Sequence, residues 1–328
     1  MAAAVLMLAG CGGDPEEGQT RLERALRGLG AGVSATGSGF GWADLEELRP
    51  DSLDPGFAAD ALGPGADDLL DDAARILAAT GMDPDAASAA VAVGGSYALG
   101  VRLEGVAPGR LPELLRRAGA RERREGSWTY FDLGKQADSV TGGPLRSFGA
   151  LVSRTAVGPD GVVLARFDAA RASLTGEGDE LDLSGTRVEP ALECLGEVAA
   201  ARLIPGTFTH NPAASPELIA MGVRSPRDRD PPREVLCAVD DSEERADARG
   251  AALEAAFAEG ASDPVTGRPM AALASAGEVG IERDGEHWVT RVELEPPRGA
   301  EPGFLFAGFV RGSVLTYLGA ARPVPREG

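Results

Sequence analysis

The chain has 328 residues and a formal net charge of −19, and 43% of its residues are hydrophobic but only 5% are aromatic. This hydrophobic fraction is too high for a disordered chain. The acidic balance leaves no basic face for nucleic-acid phosphates or for anionic lipid headgroups. We therefore predict a globular protein of one or two domains that binds no nucleic acid.

The N-terminal segment Met1–Gly10 is uncharged and apolar. It is too short to cross a bilayer as a helix, which needs about 20 residues, but it has the length of the apolar region of a secretion signal. The stretch Leu8-Ala9-Gly10-Cys11 resembles the lipobox of bacterial lipoproteins, in which a leucine and two small residues precede a cysteine. The alternative is a buried apolar N-terminus with a free thiol.

The lipobox resemblance carries several expectations. Residues 1–10 would be a signal peptide, and Cys11 would carry diacylglycerol with acyl chains such as palmitate. The polar, glycine-rich residues 11–19 would then be a flexible tether. The protein would be anchored by lipid on the extracytoplasmic face of the cell membrane.

The remaining cysteines, Cys194 and Cys237, form an even pair in a chain expected outside the reducing cytosol. Such a pair is most simply interpreted as a disulfide. Two buried thiols, or a pair of metal ligands, are the alternatives. No further ligands for a metal are evident, so we predict no metal site.

The N-terminal half predicts helices and strands in alternation. In chain order they are a helix over 20–30, a strand near 40–42, helices over 43–49 and 66–81, a short helix from 83, a strand over 96–105, a helix over 109–119, a strand over 127–134, a helix near 144–153, a strand over 162–167 and a helix over 169–174. Residues 175–186 are polar and turn-rich, which suggests a domain boundary.

The C-terminal half follows a similar plan. It predicts strands over 216–225 and 233–241, a long helix over 242–260, a hairpin over 278–296 and finally a short helix and a strand. Asp284-Gly285 is a strong two-residue turn signal for the hairpin.

Both halves contain an Arg, an acid and a Gly shortly before a tryptophan that opens a strand, at Trp128 and at Trp288. A helix precedes this unit and a Phe-rich helix follows it in each half. We predict an α+β fold with two related lobes, 20–184 and 185–328, each a mostly antiparallel sheet with helices packed on one face; an internal duplication would explain them. This order of elements resembles uncharacterised extracytoplasmic lipoproteins of high-GC Gram-positive bacteria, a resemblance that implies no activity.

A search for catalytic groups finds little. The histidines, His210 and His287, lie in or beside turns, with no nucleophile and orienting acid grouped around either. We therefore predict no catalytic residues, no cofactor and no enzymatic activity. Three tryptophans, Trp42, Trp128 and Trp288, could stack on a sugar of the cell wall, but could equally be the few large core residues of an alanine-rich protein.

These observations favour a membrane-anchored extracytoplasmic lipoprotein that serves as a binding or structural module of the cell envelope. Its partner would be an envelope protein or a cell-wall component. A solute-binding lipoprotein of a transporter is the first alternative, and it predicts regular strand–helix alternation with parallel sheets. An envelope hydrolase is the second, and it requires a convergent Ser or Asp cluster around His210 with one carboxyl group of raised pKa, a grouping that the sequence does not show.

Overall fold

A computed structural model describes residues 19–30, 38–48, 55–63, 66–94, 98–134, 143–209, 211, 213–224, 232–297 and 303–320. The predicted signal peptide, Cys11 and His210 lie outside these described residues. The predicted α+β class is confirmed, because the described chain combines helices with a large antiparallel sheet.

Thirteen strands of the described chain form one sheet, and the pairings between them are antiparallel. In chain order the strands are β1 (Gly39–Asp44), β2 (Ala89–Gly94), β3 (Ala98–Glu104), β4 (Arg121–Glu125), β5 (Trp128–Asp132), β6 (Arg154–Val157), β7 (Gly161–Ala165), β8 (Ala200–Pro205), β9 (Leu218–Arg224), β10 (Arg233–Asp240), β11 (Ser275–Ala276), β12 (Gly280–Asp284) and β13 (His287–Glu295). Across the sheet the order is β11-β13-β10-β9-β8-β1-β2-β3-β7-β6-β5-β4, and β12 also pairs with β13.

The prediction of a separate sheet in each lobe is wrong. Strand β1 of the N-terminal half pairs directly with β8 of the C-terminal half, so one sheet crosses the predicted boundary. The segment 175–186 is also not a free linker, because Leu181 and Leu183 are buried and the Leu181 N–H donates to the Leu29 carbonyl at 2.8 Å.

Helices cover both faces of the sheet, not one face as predicted. They are α1 (Arg21–Arg27), α2 (Leu45–Leu48), α3 (Pro55–Leu62), α4 (Asp67–Asp71), α5 (Ala73–Thr80), α6 (Leu111–Arg117), α7 (Asp168–Thr175), α8 (Val188–Leu195), α9 (Glu243–Phe257), α10 (Phe304–Arg311) and α11 (Ser313–Tyr317), with a 3-10 helix over Gly143–Ser153. Helices α1, α7 and α8 pack on one side, here called the α1 face. The other helices pack on the opposite side, the α9 face.

This two-sided cover explains the composition of the central strands. In β2, residues 90–93 are Ala-Val-Ala-Val and all four are buried, because alternate side chains enter the two opposite layers. A strand that is buried on both faces has a continuous apolar sequence with no polar alternation.

Helix α3 lies over the seam between β1 and β8. At Gly41, an added Cβ would come within 2.6 Å of the Ala61 carbonyl oxygen, so only glycine allows α3 to approach this closely. Opposite Gly41 in the register stands the buried Arg202, whose guanidinium donates to the Asp60 carbonyl at 3.3 Å. Gly41, by its small size, and Arg202, by its hydrogen bond, therefore both position α3 over the β1–β8 pair.

The strand order is similar on the two sides of this seam. On one side β1, β2 and β3 are followed in the chain by α6 and the β4–β5 hairpin; on the other, β8, β9 and β10 are followed by α9 and the β12–β13 hairpin. Strands β6 and β7, which lie between β3 and β5, have no counterpart between β10 and β13.

The two tryptophans of the predicted repeat do not occupy equivalent positions. Trp128 pairs with Glu125 across the loop of its hairpin, whereas in the other hairpin that position belongs to His287, which pairs with Asp284. Trp288 is one residue further on. Because successive side chains in a strand point to opposite faces, this offset places Trp128 on the α1 face and Trp288 on the α9 face.

A buried ion pair ties the C-terminal helices to the sheet. Arg249 of α9 is 6% exposed and contacts both carboxylate oxygens of the fully buried Asp240, at 3.3 and 3.4 Å. Its guanidinium also donates to the carbonyls of Leu318 and Ala214, at 2.6 and 2.5 Å. Burial raises the pKa of Asp240, against the charge of Arg249.

We predict that Arg249→Met lowers the free energy of unfolding by about 3 kcal/mol, because it leaves a buried carboxylate with only Arg245 beside it. Urea denaturation measures the loss. The double variant Asp240→Asn/Arg249→Met is expected to lose less than the single one, since it leaves no unpaired charge. Equal stability of Arg249→Met and the parent chain would contradict this role.

The predicted disulfide is present between Cys194 in the last turn of α8 and Cys237 in β10. Their Cα atoms are 6.3 Å apart and 43 positions separate them in the chain. The bond joins a helix of the α1 face to the sheet beneath it, and Cys237 is completely buried.

We predict that Cys194→Ala/Cys237→Ala lowers the free energy of unfolding by about 4 kcal/mol, the loop-closure value for a loop of this length. Denaturant unfolding with and without a reductant measures it. Cys11→Ala, which removes the remaining cysteine, is the matched control and is expected to leave the midpoint unchanged. If a reductant shifted the unfolding midpoints of Cys11→Ala and of the double variant by the same amount, the Cys194–Cys237 disulfide would not be the source of the stabilisation.

Candidate functional site

The three predicted stacking tryptophans lie far apart and do not form one surface. Trp42 is in β1 at the centre of the sheet, while Trp128 and Trp288 lie in β5 and β13, towards opposite edges. Trp42 lines a cleft of about 450 Å³ but is only 2% exposed, so its ring has no open face for a sugar.

The other two tryptophans are half-buried and packed. The ring of Trp128 lies against the backbone of Gly158, where an added Cβ would be 2.7 Å from the ring. The ring of Trp288 lies 6.0 Å from the guanidinium of Arg283, its cross-strand partner. Both environments fit a packing role better than a shared stacking platform.

His287 lies beside a carboxylate but makes no hydrogen bond to it. Its Nδ1 lies 3.9 Å from a carboxylate oxygen of Glu217, and within the described chain no hydrogen bond to this atom is present. None of the helices in the described ranges is long and apolar enough to cross a membrane. Among the same residues, no three His, Cys, Asp or Glu side chains converge as metal ligands.

A concavity with charged walls lies on the α1 face, between α8 and the β12–β13 hairpin. It has a volume of about 760 Å³. Its lining is mostly charged and is made by Pro190, Glu193, Cys194, Arg224, Glu278, Gly280, Glu282, Arg283, Asp284, Val289 and Arg291. We call it the α8 cleft.

Two arginines that line the α8 cleft, Arg224 and Arg291, form a compact ionic group with Glu293. This carboxylate accepts hydrogen bonds from Arg224, at 2.7 Å, and from Arg291. Burial alone would raise the pKa of Glu293, but the charges of Arg224 and Arg291 outweigh it and lower the pKa.

The same two arginines bind the C-terminal end of α8. Arg291 donates to the Cys194 carbonyl at 3.2 Å and Arg224 donates to the Leu195 carbonyl at 3.3 Å. Such contacts satisfy carbonyls that have no partner within the helix and complement its negative end. With the disulfide at Cys194, they make this wall of the cleft rigid.

The part of the lining formed by Glu193 and Asp284, here called the mouth, has the opposite character. Glu193 of α8 faces Asp284 at the end of β12, and the charge of Asp284, followed by burial, raises the pKa of Glu193. Glu278 and Glu282 on the hairpin side are exposed, which adds further negative charge to the same opening.

This arrangement has two chemical consequences. Two carboxylates that repel each other offer a favourable position for an ammonium or guanidinium group of a ligand. A carboxyl group with a raised pKa beside an ionised one can also donate a proton. The sequence shows these residues only as scattered surface charges, and the one signal that could have placed α8 beside β10 was the expected disulfide.

No protein-family model, curated protein or solved structure matches the chain.

We predict that Asp284→Asn lowers the pKa of Glu193, because it removes the largest cause of the raised value. In the parent chain the folded state holds the Glu193 proton more tightly than the unfolded state, so stability falls as pH rises from the ordinary value of 4.5 through the raised one. The variant is expected to lose less stability over this window.

NMR titration of the Glu193 carboxyl carbon measures the pKa, and urea unfolding across the same pH range measures the stability. Glu286→Gln is the matched control, since it removes one charge from the exposed loop of the same hairpin. An unchanged Glu193 titration in Asp284→Asn would show that the two carboxyl groups do not interact.

Proposed function

We propose that the protein is an acylated extracytoplasmic lipoprotein that binds a partner at the cell envelope through the α8 cleft. The observation that carries the proposed location is the disulfide between Cys194 and Cys237. Disulfides persist in oxidising compartments and are rare in the bacterial cytosol. An exported chain with the motif Leu8-Ala9-Gly10-Cys11 has an acylation site at Cys11 in the position that the lipobox resemblance implies.

A lipid anchor suits the charge of the chain. At −19, the folded body is repelled by anionic headgroups, so attachment through basic residues is unfavourable. A diacylated cysteine provides stable attachment without them, because each buried methylene contributes about 0.8 kcal/mol. Residues 11–19 would give the body freedom to orient above the membrane.

The binding role rests on the α8 cleft. Its wall is held by a disulfide and by two arginine contacts, while its mouth holds a pair of carboxyl groups, Glu193 and Asp284. A preformed rigid wall reduces the ordering cost of binding. The ligand class that complements the mouth is a cationic group, either an amine of a cell-wall component or a basic side chain of an envelope protein.

An envelope hydrolase is a second candidate, favoured by one observation. Paired carboxyl groups, one with a raised pKa, are the minimal machinery of many glycoside hydrolases. Glu193 would be the proton donor and Asp284 the second carboxylate, provided that the hydrogen bond between them opens to admit a glycosidic bond. The transporter-associated alternative has less support, because the described pairings are antiparallel and the central β1–β8 pair leaves no cleft between two separate sheets.

We also propose that the two halves, 20–184 and 185–328, arose by duplication. The succession of three strands, a helix and a hairpin on each side of the β1–β8 seam supports it. The offset between Trp128 and His287 then requires the tryptophans to have arisen independently, or one residue to have been inserted in a hairpin.

The location is tested on native material from the source cells. We expect the mature chain in the membrane fraction, beginning at Cys11 with its acyl groups, by mass spectrometry. Cys11→Ala is expected to release the chain from that fraction. Recovery of an unmodified N-terminus that starts at Met1, from the soluble cell contents, would refute the anchor.

The binding role is tested by cross-linking and pull-down from membranes. We expect Glu193→Gln/Asp284→Asn to lose the partner retained by the parent chain. Asp247→Asn/Glu254→Gln, which removes the same charge from exposed positions on α9, is the matched control and is expected to retain it. Cell-wall hydrolysis that Glu193→Gln abolishes would favour the second candidate, and equal recovery with both double variants would exclude the cleft.

A further inference from the structure

Within the part of the chain that the structure describes, strand β4 is one edge of the sheet and its outer side carries no partner strand. It pairs with β5 on its inner side, and no described strand lies beyond it. All five of its residues, Arg121-Glu122-Arg123-Arg124-Glu125, are exposed. An open edge presents main-chain N–H and C=O groups that can pair with another strand.

The hairpin register identifies which main-chain groups face outward. Glu125 and Trp128 flank a two-residue loop, and such loops close on a hydrogen-bonded pair. Because hydrogen-bonded and non-hydrogen-bonded pairs alternate along an antiparallel ladder, Glu125, Arg123 and Arg121 bond inward to β5. Glu122 and Arg124 therefore direct their N–H and C=O groups to the open side.

The side-chain sequence of β4 is complementary to itself when it is reversed. In an antiparallel pair of two β4 strands centred on Arg123, Arg121 meets Glu125 of the other copy and Glu122 meets Arg124 of the other copy. Each of these contacts occurs twice, so four of the five cross-strand pairs join opposite charges. In the same register, the outward N–H and C=O groups of Glu122 in one copy form hydrogen bonds with those of Arg124 in the other copy.

Two arginines of β4 are available to pair with glutamates of a second copy, because the ion pairs within one chain do not use them. Glu122 is bound by Arg116 at 2.6 Å, and Arg123 pairs with Glu125. Arg121 and Arg124 make no ion pair with another described residue. They are the two arginines that the reversed strand would place opposite glutamates, and each glutamate keeps free acceptor positions because a carboxylate can accept about four hydrogen bonds.

The central Arg123 would meet its own copy. Its charge is already compensated within the chain, by Glu125 and by Glu177 at 3.8 Å, and its guanidinium lies 4.1 Å from the centre of the Tyr130 ring. An edge that carried one sign of charge throughout would repel a second copy. The alternating charges of β4 do not repel a second copy, except at Arg123, where the charge is compensated within each chain.

We propose that β4 pairs with β4 of a second copy of the chain, about a twofold axis at Arg123, so that two sheets become one. A C2 contact uses the same patch on both copies, as this strand does. The surface is smaller than that of an obligate dimer, so the association is weak and depends on concentration and salt. The paired strands include no residue that lines the α8 cleft.

Single cysteines placed on β4 test the register. The full chain with Cys11→Ser is the common background, so that the native disulfide is the only other pair. Arg123→Cys is expected to form a covalent dimer under mild oxidation, because a non-hydrogen-bonded cross-strand pair places the Cβ atoms about 4.5–5.5 Å apart.

Two further variants serve as matched controls on the same strand. In the proposed dimer, the two copies of residue 121 are four residues apart along the strands, about 13 Å. Arg121→Cys alone and Glu125→Cys alone are therefore expected to stay monomeric on non-reducing gels. A mixture of Arg121→Cys with Glu125→Cys is expected to cross-link. Dimers from either single variant at the rate of Arg123→Cys, or none from Arg123→Cys, would overturn the pairing.

Charge exchange provides a second, non-covalent test by sedimentation equilibrium. Arg121→Glu places like charges at two symmetric positions and is expected to weaken dimerisation by about tenfold. Arg121→Glu/Glu125→Arg restores opposite charges at these positions and is expected to recover part of the parent affinity, because it also removes Glu125 from the central Arg123. Thermal melting checks that both variants fold. A parent chain that stays monomeric at every concentration, or a double variant no better than the single one, would refute the dimer.

Discussion

The β1–β8 pairing is the contact on which the architecture depends. Four residue pairs, from Phe40↔Leu203 to Ala43↔Ala200, join a seven-stranded part of the sheet to a six-stranded part. Without them each half would expose a long edge. At the seam, Gly41 admits the backbone of α3 and Arg202 donates to a carbonyl of the same helix. Both core layers, the α1 face and the α9 face, continue across this joint.

The sequence predicted the elements that have a local signal. The hairpin loop at Gly285, the end of α5 at Gly81, with φ 73°, and the long helix α9 are all present. Strands β2 and β8 were not predicted, because they are alanine-rich and buried on both faces and therefore lack the alternation that marks a strand. The predicted final strand is the helix α11, whose apolar residues pack on the α9 face.

In the candidate site, too, the sequence predicts one contact and misses another that joins distant parts of the chain. Cys194 and Cys237 could be paired from compartment and number alone. The partnership of Glu193 with Asp284 could not, because one lies on a helix and the other at the end of a strand in a distant part of the chain, and each has the sequence context of an ordinary solvated residue. Only the strand order, which places β13 beside β10, brings the hairpin to the wall that the disulfide holds.

The position of the disulfide also limits how far a local opening can spread. Fraying that starts at the β11–β13 end of the sheet must pass β10 before it reaches β9 and β8, and β10 is covalently attached to α8. Amide hydrogen exchange is therefore expected to differ on the two sides of β10: the largely exposed β11 and β12 open at low free energy, whereas β8 to β10 exchange only through a larger opening. The disulfide therefore makes β10 the limit of local opening, and the strands beyond it stay protected from exchange.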